Sequence, residues 1–214
     1  MTDAAYPASG DDNCNSMTST LTVDKLNERF IVQRANQKDL PAILAIYNQS
    51  IAGKRATANL APVTCEERQV WFDEHLNKAA RPIYVVKIVS NAEDATFKST
   101  AQAESVIVAW GSFSDLYARP AYHISTEISI YLHKNYHNQG VGSLLTRWML
   151  KQAPSLGIHN VIALIFAHNQ PSLGLFRKLG FEQWGYMPKV CDMEGFIADV
   201  VMLGKAVIAD SNGQ

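Results

Sequence analysis

Hydrophobic and polar positions change their spacing along the chain, and each spacing predicts a different element. Between Thr126 and Leu132, isoleucine and leucine alternate with Glu127, Ser129 and Tyr131. A period of two is typical of a strand with one apolar face. From Val141 onward, apolar residues recur at helical intervals, which predicts an amphipathic helix. The second half of the chain is therefore predicted to contain a strand, a short loop and a helix in succession.

The same reasoning predicts an α/β fold for the whole sequence. Helices are predicted after two capping signals, Asn36 with Asp39 and Thr64 with Glu67, and again near Val141 and Pro171. Strands are predicted at 30–34, 83–89, 106–113, 126–132, 161–166, 182–187 and 197–203. This mixed order suits one twisted sheet with helices on both faces.

The polar and apolar content divides the chain into one folded unit and two ends. Residues 1–28 are rich in Ser, Thr, Asp and Asn, so we expect a flexible extension there. We expect the domain to span 29–206, with a polar hairpin loop at 90–104 and a short tail at 207–214. A chain of 214 residues is long enough to bury a sizeable core.

Composition excludes several classes of partner. The net charge is −1 and no block of basic residues stands out, which argues against nucleic acid. No apolar run could span a bilayer, which argues against a membrane partner. Cys14, Cys65 and Cys191 are too irregularly spaced for a disulfide framework, so we expect reduced thiols and a cytoplasmic protein. The histidines lack metal-ligand spacing, so no metal is expected.

The segment from His137 to Gly142 carries the strongest chemical signal. Glycines allow a tight turn and a close approach of a ligand, and the helix that follows has free N–H groups and a partial positive charge. Together they suit a pyrophosphate, although a plain connecting loop has the same composition. A Walker A loop is excluded because Gly-Lys-Ser/Thr is absent, and a dinucleotide motif is excluded because Leu145 stands where its third glycine would be.

This segment resembles the acetyl-CoA pyrophosphate loop of GNAT acetyltransferases, Arg/Gln-x-x-Gly-x-Gly/Ala, with His137 at its head. A second match is Asn169-Gln170-Pro171-Ser172, followed by Phe176 and Leu179-Gly180-Phe181. The resemblance covers about residues 30–204. It implies the GNAT fold, with a mostly antiparallel sheet, and acetyl-CoA as co-substrate.

The segment from Tyr117 to Leu132 resembles a narrower branch, the phosphinothricin and methionine sulfoximine acetyltransferases. That likeness implies a small amino-acid-like amine as substrate and a homodimer. It implies that Glu127 and Ser129 border the substrate and that Asn169 contacts pantetheine. It assigns the acyl-CoA arm to backbone groups of Ile130, Tyr131 and Leu132, and the pyrophosphate to Asn138, Gln139, Gly140, Val141, Gly142 and Ser143. Many members carry His where this chain has Phe176, and that departure weakens the expectation of herbicide acetylation.

The reaction needs a base for the amine, and a carboxylate is suitable. Glu127 is the candidate base, with an edge-strand salt bridge as the alternative reading, and Tyr131 is a candidate acid for the leaving thiolate. Arg119 could clamp a substrate carboxylate or be a solvated loop residue, and Tyr122 could wall the pocket or pack under the loop.

Three functions remain open from the sequence. The first is acetylation of a small amine, the second is acetylation of a peptide or protein amine, and the third is an acyl-CoA-binding module without turnover. An acceptor screen with acetyl-CoA distinguishes them.

Overall fold

The computed structural model describes residues 23–89 and 106–208. Four helices lie at Leu40–Ile51 (α1), Cys65–Asn77 (α2), Val141–Gln152 (α3) and Gln170–Lys178 (α4). The strands are Val23–Lys25 (β1), Phe30–Arg34 (β2), Ile83–Ile88 (β3), Ile107–Asp115 (β4), Ser125–Leu132 (β5), Asn160–Phe166 (β6), Glu182–Asp192 (β7) and Ile197–Ala206 (β8).

The strands form one eight-stranded sheet in the order β1-β2-β3-β4-β5-β6-β8-β7. Every neighbouring pair is antiparallel except β5 and β6, which run parallel. This arrangement confirms the predicted fold class, a single mostly antiparallel sheet.

Helices cover both faces of this sheet, as the spacing predicts. In β3, Tyr84 and Val86 belong to the core cluster that contains residues of α3 and α4. Ile83 and Val85, one position out of phase, belong to the cluster formed with α1 and α2. Because successive strand residues point to opposite faces, α3 and α4 lie on one side and α1 and α2 on the other. Each fully buried side chain of this kind contributes roughly 1.5–3 kcal/mol to folding.

Two capping boxes start helical segments where the sequence predicts them. The Asn36 side chain accepts from Lys38 N while Asp39 accepts from the Asn36 N–H, and Thr64 and Glu67 cap each other reciprocally. Each such cap contributes about 1 kcal/mol.

One predicted boundary needs correction, and other predicted segments lie outside the described residues. The expected extension at 1–28 includes β1, which pairs with β2 and is therefore part of the sheet. Helix α3 begins at Val141, where the helical spacing of the apolar residues predicts it. The predicted loop at 90–104 and residues 1–22 and 209–214 lie outside the described residues.

Candidate active site

A cleft opens where the two parallel strands separate. Strands β5 and β6 pair only over Ser125–Glu127 and Asn160–Ile162. Beyond Glu127 they diverge, and a cavity of about 440 Å³ lies at the gap. That volume is within the usual range of small-molecule sites. The walls come from four places in the chain: residues 55–59, 127–131 and 163–166, the start of α4 with Asn169, Ser172 and Phe176, and the 187–191 segment with Val200.

The backbone of β5 directs free polar groups into this gap. His133 N donates to Val108 O across β4 at 2.9 Å. Because N–H and C=O groups alternate in direction along an antiparallel strand, those of Ile130 and Leu132 point away from β4. Within residues 23–89 and 106–208, no strand pairs with them on that side beyond Glu127. Two backbone N–H groups therefore face the cleft in positions suited to an extended ligand.

The backbone of Tyr131 points the other way from that of Ile130 and Leu132, so the predicted backbone contact of Tyr131 with the acyl-CoA arm needs correction. Its backbone groups face β4, where it pairs with Trp110, so they are not available to an acyl-CoA arm. Its side chain does line the cavity, stacks on Trp110 at 4.6 Å and donates a long hydrogen bond of 3.4 Å to Ala56 O. Burial raises the pKa of the Tyr131 hydroxyl, and the nearby Tyr47 raises that pKa further. The phenol is thus a hydrogen-bond donor across the physiological range.

Glu127 lines the cavity at the last paired position of β5 and β6. Among the described residues, no Lys, Arg or His lies within salt-bridge distance of it. The alternative reading of an edge-strand ion pair is therefore not supported in this part of the chain. Burial raises the pKa of Glu127 above its ordinary value, which makes it a better proton acceptor. Ser129 lines the same cavity two residues further on.

The start of β5 is held by a buried guanidinium. Arg81 is 3% exposed and donates to Asp115 Oδ1 at 2.8 Å, to His123 O at 2.7 Å and to Ser125 O at 3.3 Å. Burial alone would raise the pKa of Asp115, but its contacts with Lys78 and Arg81 outweigh burial and lower that pKa. These bonds fix the strand on which Glu127 stands.

The loop before α3 has the form of an anion site. His137 Nε2 lies 3.2 Å from Leu132 O, which ties the loop to β5. Gly140 has φ +80°, a left-handed conformation that a side chain would strain. Helix α3 has no side-chain cap and no acidic residue in its first turn, so the N–H groups of Val141, Gly142 and Ser143 are free of helical partners.

Gly142 lies where α3 packs against β5 and α4. It is buried, and an added Cβ would lie 3.5 Å from the side chains of Leu132 and Leu175. A methyl group there would make ordinary van der Waals contacts, so the packing does not require glycine, and the N–H of Gly142 is the group placed for a ligand. Asn138, at φ 60°, and Gln139 are exposed on the loop.

Asn169 organises the opposite wall of the cavity. Its Oδ1 accepts from Ser172 N at 3.3 Å and caps α4, while its Nδ2 donates to Arg55 O at 3.0 Å. A neighbouring hydroxyl, that of Tyr47, bonds to Thr57 at 2.6 Å and Asn59 at 2.8 Å. The 55–59 wall is thus held from two sides, although no sequence signal predicts its place at the cleft.

Two predicted substrate residues are not part of this cavity. Arg119 and Tyr122 lie in and beside the short 3₁₀ segment Pro120–Ile124 before β5, are exposed, and are absent from its lining. Their predicted roles stay untested. Phe176 does line the cavity, where it is 4% exposed and packs edge-on against Phe181 at 4.9 Å.

The described residues contain no cluster of three or more metal-ligating side chains. Within the same ranges, none of the helices has the length and apolar character needed to cross a bilayer.

Comparison with known proteins gives relatives along nearly the whole folded part. YwnH of Bacillus subtilis, assigned provisionally as a phosphinothricin acetyltransferase, is 42% identical over 171 residues, which are 80% of this chain and 95% of that protein. The L-methionine sulfoximine/L-methionine sulfone acetyltransferase of Pseudomonas aeruginosa is 30% identical over 172 residues, 80% of this chain and 91% of the relative.

Solved structures give the same answer for the fold. A crystal structure assigned provisionally as a phosphinothricin N-acetyltransferase superposes with a TM-score of 0.74 at 38% identity and covers 84% of this chain and 99% of its own. A Sinorhizobium meliloti phosphinothricin acetyltransferase in complex with acetyl-CoA has a TM-score of 0.70 at 24% identity, with 82% and 86% coverage.

The family profile described as Acetyltransferase (GNAT) family matches residues 60–181, more than half of the chain. That stretch contains α2, β3 to β6, the pyrophosphate-type loop and α4, which together form most of the cleft. With this match and relatives of 42% and 30% identity, the chain belongs to the GNAT acetyltransferase family.

Proposed function

We propose that the protein transfers an acetyl group from acetyl-CoA to the primary amine of a small amino-acid-like substrate of the phosphinothricin or methionine sulfoximine type. One observation carries the proposal: the Glu127 carboxylate, without a cationic partner in the described residues, lines a cavity into which β5 also turns free backbone N–H groups. The names of the relatives support the substrate class.

The donor is expected to bind along the gap between β5 and β6. Its pyrophosphate would accept hydrogen bonds from the free N–H groups at the start of α3, supported by the Asn138–Ser143 loop. Its extended arm would pair with Ile130 and Leu132, whose N–H groups face the gap. Asn169, on the opposite wall, has one amide hydrogen beyond its bond to Arg55 O.

The chemical step would be a direct attack of the amine on the thioester carbonyl carbon. Glu127 takes a proton from the amine, directly or through a water, and its raised pKa suits that task. Backbone N–H groups near Ile130 stabilise the tetrahedral oxyanion, and collapse of the intermediate releases CoA thiolate. With both reactants held side by side, positioning supplies much of the rate.

Tyr131 would serve this reaction as a hydrogen-bond donor to the departing sulfur. The raised pKa of its hydroxyl disfavours complete proton transfer to a thiolate, because an ordinary thiol such as that of cysteine has a pKa of only about 8.5. The proton that finally neutralises CoA would then come from solvent.

An acceptor screen tests the proposal. The protein is incubated with acetyl-CoA and phosphinothricin, methionine sulfoximine, methionine sulfone, free amino acids or peptide amines, and released CoA thiol is measured. Glu127→Gln should lower kcat about 10²- to 10⁴-fold. Glu182→Gln, a matched change at an exposed position at the start of β7, should have no effect. Turnover of peptide amines alone would reverse the substrate assignment, and binding of acetyl-CoA without any turnover would favour a non-catalytic module.

We also propose a cytoplasmic homodimer. Cys65 and Cys191 are free thiols, which are typical of a reducing compartment. Trp184 and Tyr186 are 47% and 50% exposed on β7, which is an edge strand of the sheet, and association would bury such surface. Light scattering on the purified protein measures the mass, and a monomer at micromolar concentration would contradict the dimer.

A further inference from the structure

A buried histidine lies behind the candidate base. His75 of α2 is 9% exposed, with Nδ1 2.8 Å from Trp71 O and Nε2 3.0 Å from Ser114 Oγ. A carbonyl oxygen only accepts, so the Trp71 contact requires a proton on Nδ1. In the neutral ring Nε2 is then an acceptor, and the Ser114 hydroxyl must donate to it.

The surroundings of His75 keep its ring neutral. Burial lowers the pKa of His75, and the charge of Arg68 on the same helix lowers that pKa further. The Trp71 carbonyl and the carboxylates of Glu74 and Asp115 act in the opposite direction but do not outweigh burial. Asp115 is itself engaged by Lys78 and Arg81.

Ser114 is the cross-strand partner of Glu127. The two residues are directly opposite in the β4–β5 ladder. His133 and Val108 form a hydrogen-bonded pair, and every second pair along the ladder is of the same kind, so Ser114 and Glu127 are also a hydrogen-bonded pair. The Cα atoms of such a pair are typically about 5.5 Å apart. Paired residues project their side chains from the same face, so the side chains of Ser114 and Glu127 lie side by side on the sheet face that α2 covers. The hydroxyl proton is nevertheless directed to His75.

We propose that His75 and Ser114 are positioning residues that keep Glu127 a strong base. This inference rests on the proposed function, in which Glu127 accepts the amine proton. While His75 holds the hydroxyl hydrogen, Ser114 offers Glu127 only oxygen lone pairs. Those lone pairs cannot stabilise the carboxylate, but they can accept a hydrogen bond from the carboxylic acid formed when the proton moves from the amine nitrogen to a Glu127 oxygen. No further proton transfer is required.

Removing the imidazole should reverse this preference. In His75→Phe the Ser114 hydroxyl is free to donate to the Glu127 carboxylate. A hydrogen bond to the charged form lowers a carboxyl pKa. The Glu127 carboxylate becomes a weaker base, while Tyr131, a titratable group that also interacts with Glu127, is unchanged.

Direct titration of Glu127 tests the proposal without relying on turnover. The pKa of the carboxyl is followed by ¹³C NMR in protein labelled at glutamate, with its signal assigned by its loss in Glu127→Gln. His75→Phe should lower the Glu127 pKa by about half a unit to one unit. It should also move the acidic limb of kcat/KM by the same amount. His75→Gln, whose amide oxygen can accept from Ser114, should restore both values toward wild type.

A second background shows whether the hydroxyl carries the effect. In Ser114→Ala, adding His75→Phe should leave the Glu127 pKa unchanged. An equal shift in both backgrounds, or none in either, overturns the inference. Should His75→Phe fail to fold, ¹⁵N shifts of wild-type His75 at neutral pH decide, because a proton on Nε2 would refute the proposed direction of the Ser114 bond. Retained activity in Glu127→Gln would instead overturn the proposed function, whatever the His75 titration shows.

Discussion

Ser143→Glu puts a negative charge where the pyrophosphate of acetyl-CoA is expected. The residue is in the first turn of α3, whose N–H groups have no side-chain cap and no neighbouring acid. By contrast, α2 begins with a capping box and with Glu66 and Glu67 in its first turn, so its N-terminus is already satisfied. An uncapped helix start next to a cleft is suited to an anionic ligand.

The same substitution should have opposite effects on folding and on binding. A carboxylate near a helix N-terminus stabilises the helix by about 0.3–1 kcal/mol. Two like charges about 4 Å apart repel by roughly 1 kcal/mol in water and roughly 4 kcal/mol near a protein surface. Ser143 is half-buried, so we expect a loss of binding free energy between these limits. A loss of about 1.4–2.8 kcal/mol corresponds to a 10- to 100-fold rise in the Kd for acetyl-CoA.

Calorimetric titration with acetyl-CoA and thermal unfolding measure the two effects on the same samples. Ser143→Ala retains the backbone N–H and should bind nearly as wild type does. Ser155→Glu adds the same charge at an exposed position after the other end of α3 and should leave the affinity unchanged. Wild-type affinity in Ser143→Glu would refute the placement of the pyrophosphate. Weakened binding with equally weakened folding would show general damage instead.

Three further changes test other parts of the site. Gly142→Ala adds a methyl group at ordinary contact distance, 3.5 Å from Leu132 and Leu175, and alanine has the higher helix propensity. The free energy of unfolding in urea should therefore stay within about 1 kcal/mol of the wild-type value. Tyr131→Phe keeps the ring stack and removes only a hydrogen-bond donor, so steady-state kcat should fall less than tenfold. A loss of kcat as large as in Glu127→Gln would instead show that Tyr131 donates a proton. Folding lowers the pKa of Asp115, so its contribution to stability is present above its unfolded pKa of about 3.9 and is lost as the pH falls through the folded value. Urea unfolding at several pH values should therefore show that Asp115→Asn loses less stability in acid than wild type does.

Local signals predicted the elements that hold the donor side of the site. The strand at Phe30–Arg34 and the period of two in β5 match the structure because each depends on the side chains of one segment. The glycine-containing turn before α3 was predictable for the same reason, since a left-handed glycine and the unpaired N–H groups of a first helical turn are local features. Direct contact of residues in the Gly140–Ser143 segment with a pyrophosphate remains a prediction.

Long-range pairing decided what the sequence could not predict. The short polar strand β1 exists because β2 offers it an edge, and a three-residue strand leaves almost no periodic signal. In β7, the register shifts between Met187 and Cys191, where Lys189 has a positive φ, and this irregularity turns the segment toward the cleft. The burial of Gly142 beside Leu175 of another helix is likewise a long-range feature.

Strand β5 explains why one short segment can serve both substrates. Its in-plane groups at Ile130 and Leu132 face the gap left by β6, where the donor arm is expected. Glu127 and Ser129 project from the sheet face covered by α1 and α2, where an amine could approach, while Ile128 packs into the core with α3 and α4. Because a slip of one residue exchanges the two faces of a strand, it would move the carboxylate into the core beneath α3 and α4 and the apolar row to the cleft side. The bonds from Arg81 to the start of β5 oppose such a slip, so the position of the base depends on the same contacts that stabilise the sheet.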